Sequence, residues 1–101
     1  MRSIDLALYA DELAARAATL GAQLERARCR LRQEALEREA RRALDEGSIA
    51  RLETLGILGR TDARALRSEI RELNGSLAAV EALQAWVEAR LAAAQADLPA
   101  A

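Results

Sequence analysis

The chain has 101 residues, with 15 arginines against 16 acidic residues and a formal net charge of −1. With this balance the overall charge of the molecule neither attracts nor strongly repels nucleic acid. A site for a polyanion would therefore have to be a local patch of basic residues. The chain has no histidine and only one cysteine, which excludes a Glu-x-x-His metal site and an internal disulfide.

The composition favours long helices. The chain contains 25 alanines and 17 leucines but one tryptophan, one tyrosine and no phenylalanine. Ala, Leu, Glu and Arg make up about two-thirds of it, above the share that is typical of coiled coils. Because alanine buries little area, we predict a single all-α domain over residues 1–101 that associates with itself or with a permanent partner.

The compartment can also be predicted from the sequence. No apolar run is long enough to span a membrane, and the first residues lack the layout of a signal peptide. We therefore expect no membrane partner. A lone cysteine fits the reducing cytoplasm, where we expect the protein to act.

A first helix is predicted over about residues 4–45. Ser3 can cap its first turn, in which Asp5 complements the helix dipole. Apolar residues then recur in steps of four and three, the spacing of a coiled-coil face. We call this set the first seam: Leu6, Ala10, Leu13, Ala17, Leu20, Leu24, Ala27 and Leu31. A second set, the outer stripe, predicts a second helical neighbour: Ile4, Leu8, Ala15, Ala18, Ala22 and Cys29. On this stripe Cys29 is expected to be a small packing residue.

Beyond Leu31 the same spacing meets charged residues, namely Glu34, Arg38 and Arg41. Since burying these would be costly, we expect the apolar face to rotate. The residues it would rotate to are Ala35, Leu36, Ala40, Ala43 and Leu44.

A short helix is predicted over residues 48–56. Gly47 can end the first helix in the left-handed conformation, and Ser48 can cap the short one. The two aliphatic residues that follow, Ile57 and Leu58, are expected to cover the end of the bundle.

The last helix is predicted over about residues 62–97, capped by Thr61 with Asp62 and stopped by Pro99. Asn74-Gly75 is a turn signal, but the heptad spacing passes through it in phase, so we predict a continuous helix. The heptad positions of this helix form the second seam: Leu66, Ile70, Leu73, Leu77, Val80, Gln84, Val87 and Leu91.

Two positions near the end of the second seam leave alternatives open. Gln84 would be a buried polar residue that fixes register, or it lies at the edge while Leu83 takes the core place. Trp86 falls outside the seam, where it would anchor an interface or pack against the side of the bundle.

These elements predict an antiparallel helical hairpin of two long helices joined by a short one. Two hairpins would form a dimeric four-helix bundle, because a lone hairpin cannot cover both stripes. The expected oligomer interface consists of the whole second seam together with Leu13, Leu20, Leu24 and Leu31 of the first.

An arginine stretch follows in the first helix: Arg26, Arg28, Arg30, Arg32, Arg38, Arg41 and Arg42. Helical spacing predicts ion pairs from Glu34 to Arg38 and from Glu37 to Arg41. Arg28 and Arg32, one turn apart with Glu25 behind them, are left to bind a phosphate or a carboxylate.

Glu25, Cys29 and Arg32 resemble the opening of the E-x3-S-x2-R-x3-Q-x3-D helix motif. A family of actinobacterial anti-sigma factors, also helical hairpins, binds cyclic di-GMP through that motif. Cys29 stands in the place of the serine, and Leu36 and Ala40 stand where the motif has glutamine and aspartate. The resemblance implies an anti-sigma or nucleotide-binding role as an alternative function.

The function predicted from the sequence is that of a small regulatory or adaptor protein. It would have no enzymatic activity and no cofactor, and it would bind itself and another protein through helix surfaces. The alternative is the anti-sigma role, or binding of a nucleotide or nucleic acid by the arginine stretch. The candidate binding residues are Glu25, Arg28, Arg32 and Trp86.

Overall fold

A computed structural model describes residues 3–96 of the chain. It contains three helices, α1 over Ser3–Ala43, α2 over Glu46–Thr54 and α3 over Ala63–Ala96, and no strand within that range. The all-α prediction and the order of a long, a short and a long helix are confirmed. Ser3 is the first described residue, so its capping role stays a prediction, and the predicted stop at Pro99 lies outside the described residues.

The contacts group the chain into two compact units. The first unit is formed by Met1–Gln23 with Glu72–Ala101, and the second by Leu24–Arg71. In the first unit, α1 packs on α3 through a core of Leu6, Leu13 and Val87. Flanking this core are the half-buried residues Ala10, Val80, Leu83 and Leu91.

The second unit holds the later part of α1, all of α2 and the start of α3. An ion pair of 3.9 Å between Arg30 and Glu69 links α1 to α3. The start of α1 thus meets the end of α3 in one unit, and the end of α1 meets the start of α3 in the other. This pairing confirms the antiparallel hairpin. Its buried side chains in the second unit are Leu24, Ala27, Leu58 and Leu66.

Both seams lie where the heptad spacing predicts. Every residue of the first seam and of the second seam is buried or half-buried, whereas the outer stripe of α1 is exposed along its whole length. Burial of apolar area along the seams is therefore the main force that holds α1 against α3 within each unit.

The predicted rotation of the apolar face after Leu31 is wrong. Leu36 is 66% exposed and Leu44 is 42% exposed, and Ala35 and Ala43 are exposed as well; only Ala40 of that set is half-buried. The heptad instead continues into polar residues, because the side chains of Glu34 and Arg41 are half-buried. Arg41 can occupy this place since it finds polar partners there, as described below.

The connection between α1 and α2 also differs from the prediction. Asp45, not Ser48, caps α2, because its carboxylate accepts hydrogen bonds from the Ser48 backbone N–H at 2.7 Å and from the Ser48 hydroxyl at 3.0 Å. Gly47 lies inside α2. The left-handed glycine is Gly56, with φ of 74°, and it follows the last turn of α2.

The connector between α2 and α3, residues 55–62, agrees with the prediction in part. Leu58 is buried at 7% exposure, but Ile57 is 60% exposed, so only one of the two aliphatic residues covers apolar surface. The carboxylate of Asp62 accepts from the backbone N–H groups of Arg64 and Ala65 at 3.0 and 3.2 Å. This confirms Asp62 as the cap of α3.

The helix α3 passes through Asn74-Gly75 without interruption, as predicted. Gly75 does not adopt a positive φ. The cost of a glycine in a helix, about 1 kcal/mol relative to alanine, is offset by the seam contacts on either side at Leu73 and Leu77, both half-buried.

Candidate functional site

Charge is distributed unequally between the two units. The second unit has 12 arginines and 9 acidic residues among its 48 residues, whereas the 46 described residues of the first unit have 2 arginines and 6 acidic residues. The first unit is therefore poor in charge and net acidic, and the second is rich in charge and net basic.

The three residues that resemble the anti-sigma motif come together on the exposed side of α1. One guanidinium nitrogen of Arg32, Nη2, lies 3.3 Å from Oε1 of Glu25 and 3.0 Å from Sγ of Cys29. All three side chains face solvent, since Arg32 and Glu25 are about two-thirds exposed at 63% and 61% and Cys29 is an exposed free thiol. Such an exposed ion pair adds little stability, typically under about 1 kcal/mol.

Arg28 and its neighbour Arg26 remain without an ion pair among residues 3–96. Both are exposed. Their guanidinium groups, on residues six and four positions before Arg32, can donate to a carboxylate or a phosphate of a partner without first breaking an internal contact.

The two predicted helical ion pairs have different outcomes. Arg38 does pair with Glu34, at 3.0 Å. Arg41 does not pair with Glu37, which accepts instead from the Gln33 amide at 3.2 Å. The Arg41 side chain turns away from α1 because stronger partners lie in the connector.

Arg41 joins three segments of the second unit. Its Nη2 donates to the carbonyl oxygen of Gly59 at 2.7 Å, and its Nη1 lies 3.6 Å from Oε1 of Glu53 in α2. That distance is ionic but too long for a hydrogen bond, so Nη1 is buried without a hydrogen-bond partner in the described part of the chain. This role was not predicted from the sequence, although the heptad spacing places Arg41 on the inner side.

A polar cleft of about 240 Å³ surrounds Arg41. It contains three carboxylates and three guanidinium groups, so its charges balance and it offers no net attraction to an ion. Its chemistry suits the anchoring of the connector to α1 better than the binding of a ligand. The lining residues are Glu34, Glu37, Arg38, Arg41, Glu53, Gly59, Arg60 and Thr61.

The outer stripe of α1 is an uncovered apolar surface in the first unit. Ile4 and Leu8 are 66% and 62% exposed, and Ala15, Ala18 and Ala22 continue the stripe as exposed small residues. These residues lie about 200° around the helix from the seam, given 100° per residue. The second helical neighbour that the stripe predicts is therefore not supplied by α3.

Trp86 lies outside the seam, as predicted, and is 50% exposed. The guanidinium carbon of Arg90 lies 5.5 Å from the centroid of its ring, a cation–π contact of about 0.5–1 kcal/mol at an exposed site. Arg90 follows Trp86 by four residues, a helical spacing that brings the two side chains together. The contact was therefore predictable from the sequence. With this contact in place, half of the Trp86 surface remains exposed.

The alternatives at Gln84 can be compared in the first unit. Leu83 packs against the core cluster, and Gln84 is half-buried, which agrees with the edge position more than with a fully buried amide. Whether the seam residues also contact a second chain stays a prediction.

Hydrogen bonds shift the pKa of the Asp45 carboxyl from its ordinary value. Hydrogen bonds from the Ser48 backbone N–H and hydroxyl lower the pKa of the Asp45 carboxyl below 3.8, because they stabilise the carboxylate. This residue caps α2, and its shifted pKa is a consequence of that capping.

Within residues 3–96, no group of three or more Cys, Asp or Glu side chains is placed to hold a metal ion. None of the helices in the same range has the length and apolar character needed to cross a bilayer. Comparison of the chain with protein-family models, with curated proteins and with solved structures gave no match.

Proposed function

We propose that this chain is a small regulatory or adaptor protein of the cytoplasm, without enzymatic activity, that binds other helices through the outer faces of its hairpin. Self-association and binding of a second protein are both part of this proposal. The free thiol of Cys29 supports a reducing compartment.

The observation that carries the proposal is the exposure of large apolar side chains on helices whose seams are already filled. Ile4 and Leu8 on α1 and Trp86 on α3 each leave half or more of their surface in solvent. Burying one such side chain in a partner contributes about 1.5–3 kcal/mol, and tryptophan is enriched among the residues that dominate binding. These side chains contribute little to the hairpin and much to a complex.

Trp86→Ala tests the protein-binding role. Capture of the native partner from host extract is compared between wild type, Trp86→Ala and Leu55→Ala, a matched control at the residue directly after α2, which is 65% exposed. We expect Trp86→Ala to lose the partner with almost unchanged melting temperature, and Leu55→Ala to retain it. Normal binding by Trp86→Ala, or its failure to fold, would contradict the proposal.

A second candidate function rests on the arginine stretch. Arg26 and Arg28 have no ion pair within residues 3–96, and the residues that resemble the anti-sigma motif lie in contact at Glu25, Cys29 and Arg32. This arrangement supports an anion-binding role, with a nucleotide or a nucleic acid as the ligand.

Titration with cyclic di-GMP and with a DNA duplex tests the second candidate. Saturable binding at physiological salt, lost in Arg28→Ala with Arg32→Ala, would favour it. Salt dependence separates the two functions, because contacts to phosphate weaken steeply as salt is added, whereas an apolar helix contact responds little.

A further inference from the structure

The exposed stripe of α1 extends beyond the apolar residues of the first unit. The same steps of four and three lead from Ala22 through Glu25, Cys29 and Arg32 to Leu36, and each of these residues is exposed. Besides its apolar residues this stripe carries the charged residues Asp11, Glu25 and Arg32, and no other described part of the chain covers it.

The charges along the stripe identify the partner. The early turns of α1 carry Asp11 within the stripe and Asp5 and Glu12 beside it. Arg16 is the arginine of those described turns, and it forms a 3.5 Å ion pair with Glu12. The later turns carry Glu25, which pairs with Arg32 at 3.3 Å, and also Arg26 and Arg28, which have no ion pair among residues 3–96. One end of this face is acidic and the other is basic, so the face is complementary to itself when reversed.

We propose that α1 packs antiparallel against the α1 of a second copy of this chain. The acidic early turns of each copy then lie on the arginine stretch of the other, and two-fold symmetry makes this contact twice. The inference rests on the proposed function, because it names a second copy as the partner of the arginine stretch. The acidic early turns lie in the first unit and the arginine stretch in the second. In the dimer, the acidic turns of each copy contact the arginine stretch of the other.

The register follows from the residues along the stripe. In an antiparallel pair the core positions face each other at a constant sum of residue numbers, and a sum of about 40 places Ile4 opposite Leu36 of the partner. The same register sets Ala18 against Ala22 of the partner at the centre, where small side chains let the helices approach closely. Glu12 then flanks Arg26 of the partner.

In this register Asp11 faces Cys29 of the partner, with Arg28 and Arg32 on either side of it. The one acidic residue in the early stripe is thereby placed between two guanidinium groups, which avoids an unpaired charge at the interface. Arg32 already contacts Glu25 and Cys29 within its own chain.

A charge swap tests the contact. Asp11→Arg with Glu12→Arg, and separately Arg26→Glu with Arg28→Glu, place like charges opposite each other, and we expect each pair to raise the dimer Kd by more than about 100-fold. The four changes in one chain should restore the Kd to within about tenfold of wild type. Arg67→Glu with Arg71→Glu on α3 is the matched control and should leave the Kd unchanged. Sedimentation equilibrium measures these constants.

A wild-type chain that remains monomeric at high micromolar concentration would overturn the proposal. Normal dimerisation of either double variant would also overturn it. So would a variant with all four changes that stays dissociated while its circular dichroism shows intact helix.

Distances between spin labels test the register directly. In a Cys29→Ser background, labels at Thr19→Cys should lie within about 20 Å of each other across the dimer, and labels at Gln33→Cys about 40 Å apart, given 1.5 Å rise per residue. Short distances at both positions would indicate a parallel pair, and long distances at both would indicate a different face. Either result would refute the register.

Loss of the dimer leaves the Trp86 experiment intact, because that experiment probes α3, so the two proposals can fail separately.

Discussion

The path of α3 through Asn74-Gly75 can be tested by a pair of glycine substitutions with opposite expected signs. Gly75 lies inside α3, and a Cβ built on it meets no other atom within 4 Å. Gly75→Ala should therefore add stability, by about 0.5–1 kcal/mol, because it removes backbone freedom from the unfolded chain without creating a clash. For a domain of this size that gain corresponds to a rise of about 4–8 °C in melting temperature per kcal/mol.

Gly56 is the matched control, since a Cβ there also meets no atom within 4 Å but its φ is 74°. Gly56→Ala should lose about 1–2 kcal/mol, the cost of a left-handed conformation for a residue with a side chain. Both variants are melted at the same protein concentration, followed by circular dichroism, because association makes the melting temperature concentration-dependent. A clear loss of stability in Gly75→Ala would refute the continuous helix and indicate a turn between two shorter helices.

Three further predictions concern the core, the connector and the α2 cap. Leu24 is 5% exposed, so Leu24→Asp should cost about 3 kcal/mol or more, or prevent folding, in chemical denaturation, whereas Leu55→Asp at an exposed site should cost little. Arg41→Ala should cost about 1–3 kcal/mol through the lost hydrogen bond to the Gly59 carbonyl, and equal stability would contradict that contact. The pKa of Asp45 is lowered from 3.8, so its stabilising effect is present above that pH and is lost as the pH falls through the folded-state value. The stability difference between wild type and Asp45→Asn should shrink below pH 3.8, and a difference that does not change with pH would contradict the cap.

The seams could be predicted from the sequence because they depend on periodicity alone. Leucine and alanine at steps of four and three mark one face of a helix whatever its neighbours are. The continuity of α3 at Gly75 was predictable for the same reason, since the heptad phase is preserved from Leu73 to Leu77. Asp62 was recognisable as a cap because its carboxylate needs only the backbone of the next turn.

The polar end of the seam could not be predicted, because its stability depends on a partner distant in sequence. The rule that charged residues face solvent is sound for a residue without partners, and it led to the expectation that Leu36 would turn inward. In the structure the Gly59 carbonyl, 18 residues away, accepts from Arg41. A single sequence shows neither residue as the partner of the other, so the inner heptad position of Arg41 was rejected for the cost of burying an unpaired charge.

The cap of α2 shows a different limit. Asp45, Gly47 and Ser48 each have the chemistry to end or begin a helix, and the prediction assigned these roles to the glycine and the serine. The structure assigns the cap to Asp45, whose carboxylate accepts two hydrogen bonds from Ser48. Where several competent residues are adjacent, propensity identifies the turn but not the residue that makes it.

The polar end also explains why the second unit adopts one pairing of its helices. Leucine and alanine heptads resemble themselves after a shift of seven residues, so apolar burial alone would tolerate a helix that slides by two turns. Arg41 opposes such a slide, because its guanidinium group contacts the Gly59 carbonyl and Glu53 in the observed register. A slid arrangement would leave a half-buried guanidinium without those partners, and an unpaired charge in such a place costs several kcal/mol. The apolar seam therefore supplies the attraction between α1 and α3 in this unit, and the charged residues at its end select the register.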